Sequence, residues 1–141
     1  MSEASAFGRL YTGRLWSIMS WDQLTAFWAR IEPEGWYLYA VGEEVPTAAA
    51  SAAQTAEFVR RVDALLRDDH RHDYCSIVYA DDIERPSFVK IYDPNNLGVS
   101  CGFSTNPPLP GWIMSRVPPD DLQAERQAPG GRRRWWRTIF A

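Results

Sequence analysis

The sequence predicts an α+β fold, with a mostly antiparallel sheet of four or five strands and two helices packed on one face of the sheet. Two segments repeat apolar residues at helical spacing, and several short aromatic or β-branched segments are bounded by turn-forming residues. The strands predicted after the second helix follow one another without an intervening helix, an order that favours this class. The 141 residues are 45% hydrophobic and 13% aromatic, which is sufficient for one domain with a substantial core.

A first strand is predicted within 10–18 and a first helix over 20–31. Ser20 and Gln23 have the capping-box spacing that starts a helix, and a Pro-Glu-Gly sequence at 33–35 ends the pattern. The apolar residues that recur between them at steps of three and four are Trp21, Leu24, Phe27, Trp28 and Ile31. Because a helical stripe of this kind usually faces a core, we expect these aromatic side chains to be packed rather than to stack on a ligand.

A second helix is predicted over 48–68. It opens within the Ala-rich run 47–56, and Ala has the highest helix propensity of all residues. Pro46 and Thr47, just before the helix, resemble a start signal. The residues that share one helical face are Phe58, Val62, Leu65 and Leu66.

Further strands are predicted on both sides of this second helix. The segment 35–42 (GWYLYAVG) precedes it, and 74–80 (YCSIVYA) and 87–92 (SFVKIY) follow it. The polar link between the last two segments suits an antiparallel hairpin with a loop longer than two residues. Weaker strand candidates are 98–103 and 112–117.

The chain is predicted to divide into a single α+β domain over 1–118 and an extended basic and aromatic tail over 119–141. We expect the tail to be irregular, because Pro and Gly residues interrupt regular structure at 118–119 and 129–131. Residues 132–141 contain four arginines and no acidic residue and carry +4. Of the total charge of −3, residues 1–131 therefore carry −7, so a basic tail follows an acidic body.

Two histidines and two cysteines are candidate metal ligands: His70, His72, Cys75 and Cys101. Such a set could complete a tetrahedral zinc or iron site, although the spacing contains no CxxC or HxxxH pair. The alternative is a solvated polar turn at the junction of helix and strand, with Cys75 as a small buried residue. We expect no cofactor, and these four residues are the candidates if a metal binds.

The segment 93–106 is rich in turn-forming and small polar residues. Asp93, Asn95 and Asn96 belong to a DPNN sequence with good β-turn chemistry. Because loops on a rigid sheet often carry binding residues, these three are candidate contacts for a partner protein. The alternatives are a structural loop held by its own Asn and Ser side chains, and a nucleophilic Cys101 with a base nearby in space.

The tail supplies a second set of candidate partner contacts: Arg132, Arg133, Arg134, Trp135 and Trp136. Arg and Trp are enriched among the residues that dominate binding energies. Charge and aromatic rings would also suit an anionic membrane surface or a nucleic acid, but we expect a protein partner and no nucleic acid. The alternatives are that the aromatic residues fold back and complete the core of the acidic body, or that they form the seam of a homodimer.

The sequence contains no motif that specifies an enzyme. It has no GxxxxGK[ST] phosphate loop, no GxGxxG, no HExxH and no GxSxG. No stretch reaches the roughly 18–20 apolar residues of a membrane-spanning helix. The first residues lack the basic and apolar regions of a secretory signal. We therefore expect a cytoplasmic protein with reduced cysteines and no transmembrane segment.

Two stretches, KIYDPNNLGVSCG at 90–102 and PPLPGWIMSRVPPDDL at 107–122, resemble small uncharacterised bacterial proteins associated with nitrogen-fixation gene clusters. The resemblance extends over about residues 35–137 and includes the WYLYAVGE, YCSIVYADD and RRRWW sequences. It implies an accessory role around nitrogenase or its redox supply, and it implies no mechanism and no site residues.

The sequence thus predicts a non-enzymatic accessory or regulatory protein that binds another protein. The resemblance implies a setting around nitrogenase, where a nitrogenase-related component is the candidate partner. The 93–106 loop and the Arg/Trp tail would provide the contacts. The alternative is a small metal-binding or redox protein that uses Cys75, Cys101, His70 and His72.

Overall fold

The computed structural model of the chain describes residues 5–94, 109–122 and 130–140, with the backbone alone described at 130–134. In chain order the helices and strands of these residues are α1 (Ala6–Tyr11), β1 (Trp16–Ile18), α2 (Trp21–Ala29), β2 (Tyr37–Ala40), α3 (Ala52–Asp69), β3 (Val78–Ala80), β4 (Phe88–Ile91), β5 (Trp112–Ser115) and α4 (Gly130–Ile139). None of these helices is long and apolar enough to cross a membrane.

The five strands form one antiparallel sheet in the order β1-β3-β4-β5-β2. β3 and β4 form the predicted hairpin, with Val78 opposite Ile91, and β5 pairs with both β4 and β2. The predicted α+β class and antiparallel sheet are therefore confirmed. Each predicted strand segment that falls within the described residues contains one strand of the sheet. The weaker candidate 98–103 lies outside the described residues.

One face of the sheet is apolar from edge to edge. The register aligns one buried residue from each strand in a row across the sheet, namely Ile18, Val78, Ile91, Trp112 and Ala40. The predicted apolar stripes of α2 and α3 pack on this face, which confirms the expectation of two helices on one side of the sheet. Removal of this apolar surface from water is the principal force that holds the helices on the sheet.

The opposite face of the sheet is covered by α1, which the sequence did not predict. Phe7 packs edge-on against Phe88, with ring centroids 5.5 Å apart. The ring of Tyr11 lies 3.7 Å from the ammonium nitrogen of Lys90 on the same face. Ser5 caps the helix with its side-chain oxygen. Because α1 has only six residues, it is too short to show a helical period and depends on these contacts for its stability.

Both predicted helices begin at a capping box, in which two side chains accept hydrogen bonds from backbone amides of the first turn. Ser20 and Gln23 form the box of α2, as predicted. Ser51 and Gln54 form the box of α3, so that this helix begins later than expected and residues 46–47 lie outside it. A cap of this kind contributes about 1 kcal/mol, which fixes where each helix begins.

The expectation of an irregular, extended tail is wrong for residues 130–139, which form α4. Trp135 and Trp136 both lie edge-on to Phe58 of α3, at centroid distances of 6.2 and 5.9 Å. Trp135 also lies 5.5 Å from Trp112 of β5. The two glycines fall in the first turn, and burial of the tryptophans outweighs their low helix propensity. Trp135 and Trp136 therefore extend the core of the body.

We expect Trp135→Ala to lower the free energy of unfolding by about 2 kcal/mol. A buried Trp typically contributes about 3–5 kcal/mol, and this ring is partly buried against Phe58 and Trp112. Urea unfolding followed by far-UV circular dichroism measures the change. Because the contacts are apolar, the loss should be similar at about 0.1 M and about 1 M NaCl.

The matched control is Arg137→Gln, because Arg137 is on the same helix and its side chain is 70% exposed. This variant should change the free energy of unfolding by less than about 0.5 kcal/mol. A Trp135→Ala protein as stable as the wild type would contradict the packing of α4 on the core.

Candidate functional site

A cleft of about 530 Å³ opens between α4 and the residues that follow β2. Residues 43–47 form its first wall, and Trp136, Arg137 and Phe140 form its second wall. Leu38 of β2 also lines it. We call this the C-terminal cleft. Its volume lies within the roughly 300–1,000 Å³ of typical ligand sites, which are concave and combine apolar surface with a few polar groups.

The first wall is held by a tight turn at the end of β2. Gly42 has a φ of 99°, in the region that residues with a side chain rarely adopt. Across this turn the Glu43 amide donates to the Ala40 carbonyl oxygen over 2.9 Å. Farther along, the Ala50 amide donates to the Trp36 carbonyl oxygen over 2.8 Å. These two hydrogen bonds anchor both ends of the segment and bring it back along β2.

The aromatic part of the second wall consists of Trp136, in α4, and Phe140, which directly follows this helix. Trp136 and Phe140 are about one helical turn apart, and their ring centroids lie 4.7 Å from each other. Trp136 is partly buried against Phe58, whereas Phe140 is 37% exposed. The wall is therefore anchored in the core at Trp136 and open to solvent at Phe140.

Charges of both signs border the C-terminal cleft. Arg137 Nη2 lies 4.0 Å from Glu43 Oε2, and the two side chains are 70% and 25% exposed. Glu44 is exposed on the same wall as Glu43. An ion pair at this separation and exposure contributes only about 0–1 kcal/mol. Arg137 can therefore move away from Glu43 at little cost in free energy.

A second depression, of about 780 Å³, lies between the residues after α2, those before β4 and Arg116 after β5. Arg30, Arg85 and Arg116 line it. Three arginines would suit an anion, but two of them have structural partners. Arg116 donates to two backbone carbonyl oxygens and stacks over the Trp36 ring at 4.3 Å. Arg30 pairs with Glu84 at 3.6 Å. This depression is therefore the weaker candidate of the two.

The candidate metal ligands His70 and His72 lie together after the end of α3, with ring centroids 4.6 Å apart. His70 is buried, and its Nε2 lies 2.9 Å from the Cys75 carbonyl oxygen. Burial lowers the pKa of His70, because desolvation disfavours its charged form and the neighbouring His72 adds to the effect, against an opposing contribution from the hydrogen bond to Cys75. In this arrangement His70 holds the chain after α3 against the body.

Cys75 is buried, and burial raises the pKa of its thiol, which disfavours the thiolate form that binds metals. Within the described ranges no group of three or more His, Cys, Asp or Glu side chains could hold a metal ion. Cys101 lies outside those ranges. The structure thus brings the two histidines together, and the buried position of Cys75 agrees with the alternative of a small core residue.

Among the candidate contacts of the 93–106 loop, Asp93 is described by the structure and Asn95 and Asn96 lie outside the described residues. Asp93 is 3% exposed. A Cβ added at Gly111 would come within 3.0 Å of the Asp93 Cβ, so the two backbones pass close together. This burial argues against direct contact of the Asp93 carboxylate with a partner.

Some of the candidate contacts in the tail have described side chains and others do not. The side chains of Arg132, Arg133 and Arg134 lie outside what the structure describes, although their backbone belongs to α4. Trp135 and Trp136 pack within the chain, and Trp136 also borders the C-terminal cleft. This packing agrees with the alternative in which the aromatic residues of the tail fold back onto the body. The role of the two tryptophans as contacts for a partner stays a prediction.

No protein-family model, curated protein or solved structure matches this chain. The fold class therefore rests on the structure by itself: an α+β protein whose described strands form one five-stranded antiparallel sheet. The resemblance to proteins of nitrogen-fixation gene clusters stays a prediction.

Sequence reasoning missed Glu43 and Glu44, which line the cleft. They follow a strand in a segment without helical or strand periodicity, so no local pattern marks them. The spacing of Trp136 and Phe140 was the available signal for the other wall, because residues four positions apart share one face of a helix.

We expect the free energy of unfolding to fall between about pH 7.5 and about pH 5.5, in part through His70. Its pKa in the folded protein lies below the unfolded value of about 6.5, so the unfolded chain takes up the proton first and is favoured as the pH falls. His70→Gln can still donate to the Cys75 carbonyl oxygen but does not titrate, so it should reduce this dependence. Urea unfolding at both pH values measures it, and an unchanged dependence in the variant would exclude His70 as its source.

Proposed function

We propose that this is a non-enzymatic accessory protein that binds another protein through the C-terminal cleft. One observation carries the proposal: Trp136 and Phe140 present aromatic surface along a cleft of about 530 Å³, with Arg137 beside them. Trp and Arg are enriched among the residues that dominate protein–protein binding energies, and such residues act best in concave sites that exclude water.

The walls of the cleft are held in place by the protein itself. Trp136 of α4 is packed on Phe58 of α3. Arg61 of α3 also donates to the hydroxyl oxygen of Thr138 in α4 over 2.5 Å. The turn at Gly42 fixes the opposite wall. Because the helix that carries Trp136 is docked before binding, association loses less conformational entropy than it would with an extended tail.

The partner that we propose is a component of nitrogenase or of its redox supply, with the interaction in the cytoplasm. This part of the proposal is supported by the resemblance of 90–102 and 107–122 alone. In this setting the 93–106 loop would add a second contact, and the protein would act by occupying or shielding a surface of the partner.

A photo-crosslinking amino acid at Thr47, which is exposed on the first wall, tests the proposal in the cells that produce the protein. We expect it to capture a small set of proteins, quantified by mass spectrometry. Phe140→Ser should reduce this capture by about tenfold, the effect of losing about 1.4 kcal/mol of contact.

Two controls distinguish binding in the cleft from nonspecific binding to the protein surface. The first places the same photo-crosslinking amino acid at Arg60, which is exposed on α3. The second is Leu109→Ser, because Leu109 is 36% exposed and thus matches Phe140 at 37%. Proteins captured equally at Thr47 and Arg60, or captured in full from the Phe140→Ser protein, would contradict binding through the cleft.

A further inference from the structure

Lys90 is the only lysine of the chain, and it lies on the central strand of the sheet. In the register of β4 its neighbours are Tyr79 of β3 and Ile113 of β5. Its side chain is on the face that α1 covers, where the ammonium nitrogen lies 3.7 Å from the centre of the Tyr11 ring. The side chains of Lys90 and Tyr11 are both partly exposed, so a small molecule can reach the amine from solvent.

The surroundings of Lys90 are aromatic, and the elements next to it contain no acidic residue. This holds for α1, β1, β3 and β5, and no carboxylate of the described residues forms an ion pair with Lys90. Removal from water without an anionic partner disfavours an ammonium ion. Burial accordingly lowers the pKa of Lys90, against the attraction of the Tyr11 ring for the charged form. A larger fraction of the amine is then neutral, with a lone pair available for reaction.

A hydroxyl group without a partner lies on the same face of the sheet. The register places Ser17 of β1 in one row with Tyr79 and Lys90. The Ser17 hydroxyl oxygen is buried and has no hydrogen-bond partner among the described residues. Buried polar atoms nearly always have a partner, so this one calls for an explanation. A hydrogen-bonding group on a ligand held at Lys90 would supply the partner.

We propose that Lys90 is a covalent binding site for a small aromatic aldehyde, which it holds as a Schiff base. The amine nitrogen attacks the carbonyl carbon and forms a C–N bond. The resulting carbinolamine then loses its oxygen as water, as the C–O bond breaks and the C=N bond forms. Both protons of the neutral amine leave with the oxygen, so the step balances and nothing is oxidised or reduced. The site is distinct from the C-terminal cleft and does not depend on the proposed function.

The Tyr11 hydroxyl serves as the proton donor in this step. It belongs to the ring that contacts the amine, so it is on the side from which a carbonyl compound reaches Lys90. Burial raises the pKa of Tyr11, and the neighbouring Tyr92 and Tyr39 add to the rise. The hydroxyl therefore keeps its proton at neutral pH and can donate it to the departing oxygen of the carbinolamine.

The class of aldehyde follows from the side chains around the amine. Tyr79 and Tyr92 lie edge-on to each other, with ring centroids 5.7 Å apart, and Tyr11 adds a third ring. Aromatic rings pack favourably on such surfaces in edge-on or offset arrangements. The unpartnered hydroxyl of Ser17 favours a ring that carries a hydrogen-bonding substituent. A hydroxyl-substituted aromatic aldehyde combines these features, and 4-hydroxybenzaldehyde is the probe.

The test treats the full-length protein with 4-hydroxybenzaldehyde and sodium cyanoborohydride, which reduces a Schiff base to a stable secondary amine. Peptide mass spectrometry measures the rate of modification at Lys90 and at the N-terminal amine, which serves as the internal reference. At about pH 7, Lys90 should react at least about tenfold faster in the folded protein than in the same chain in about 6 M guanidinium chloride. This comparison uses one sequence, so it does not depend on the folding of a variant.

Two substitutions that remove a hydroxyl group test how the site is built. Tyr11→Phe keeps the ring over the amine but removes the proton donor, so the modification of Lys90 should slow by at least about tenfold. Tyr74→Phe is the matched control, because Tyr74 is 50% exposed on a loop and its hydroxyl has no part in the site. This control should react at the wild-type rate.

Ser17→Ala tests the direction of the bound ring. It should slow the reaction of 4-hydroxybenzaldehyde by about threefold and leave that of benzaldehyde unchanged, because only the first ligand has a group that can bond to Ser17. A folded protein whose Lys90 reacts no faster than that of the unfolded chain would overturn the proposal. An unchanged rate in Tyr11→Phe would overturn the assignment of its hydroxyl as the donor.

Discussion

The packing of aromatic rings between α3, α4 and β5 is the interaction on which the rest of the structure depends. Phe58 is fully buried at its centre, with Trp135 and Trp136 edge-on to it, and Trp135 extends the cluster to Trp112 in the sheet. Large aromatic side chains bury about 150–250 Å² each, so this cluster covers apolar surface that α2 and α3 alone leave open. The position of α4, and with it the second wall of the C-terminal cleft, follows from this packing.

Charge has a secondary part in holding α4. Residues 132–141 carry +4 and residues 1–131 carry −7, so the two parts of the chain attract each other. The described ion pair between Arg137 and Glu43 is nevertheless long and exposed, and salt screens such pairs. Apolar contact therefore fixes the helix, and the ion pair adds little to it.

The cleft lies at an edge of the sheet for a structural reason. β2 is an outer strand, and outer strands present backbone groups that no further strand satisfies. The segment after β2 turns at Gly42 and returns along this strand, where the Ala50 amide donates to the Trp36 carbonyl oxygen. Coverage of the edge by an irregular segment, next to a helix docked from the end of the chain, creates the concave surface between them.

The sequence by itself determined two of the helices, α2 and α3, and the five strands. The capping box at Ser20 and the apolar stripes of α2 and α3 were readable because caps and periods involve residues a few positions apart. The five strands were readable from their aromatic and β-branched composition between turn-forming residues. These features also sufficed for the α+β class, because their order along the chain restricts how they can be layered.

Only the tertiary structure decided that the tail is a helix and that a cleft exists. The glycines at the start of α4 argue locally against a helix, and burial of Trp135 and Trp136 against distant Phe58 overrides them. Tertiary packing likewise buried Asp93 and brought Glu43 to Arg137. Such contacts join residues far apart in the chain, so their free energy depends on the packing of the whole molecule and leaves no pattern in the neighbouring sequence.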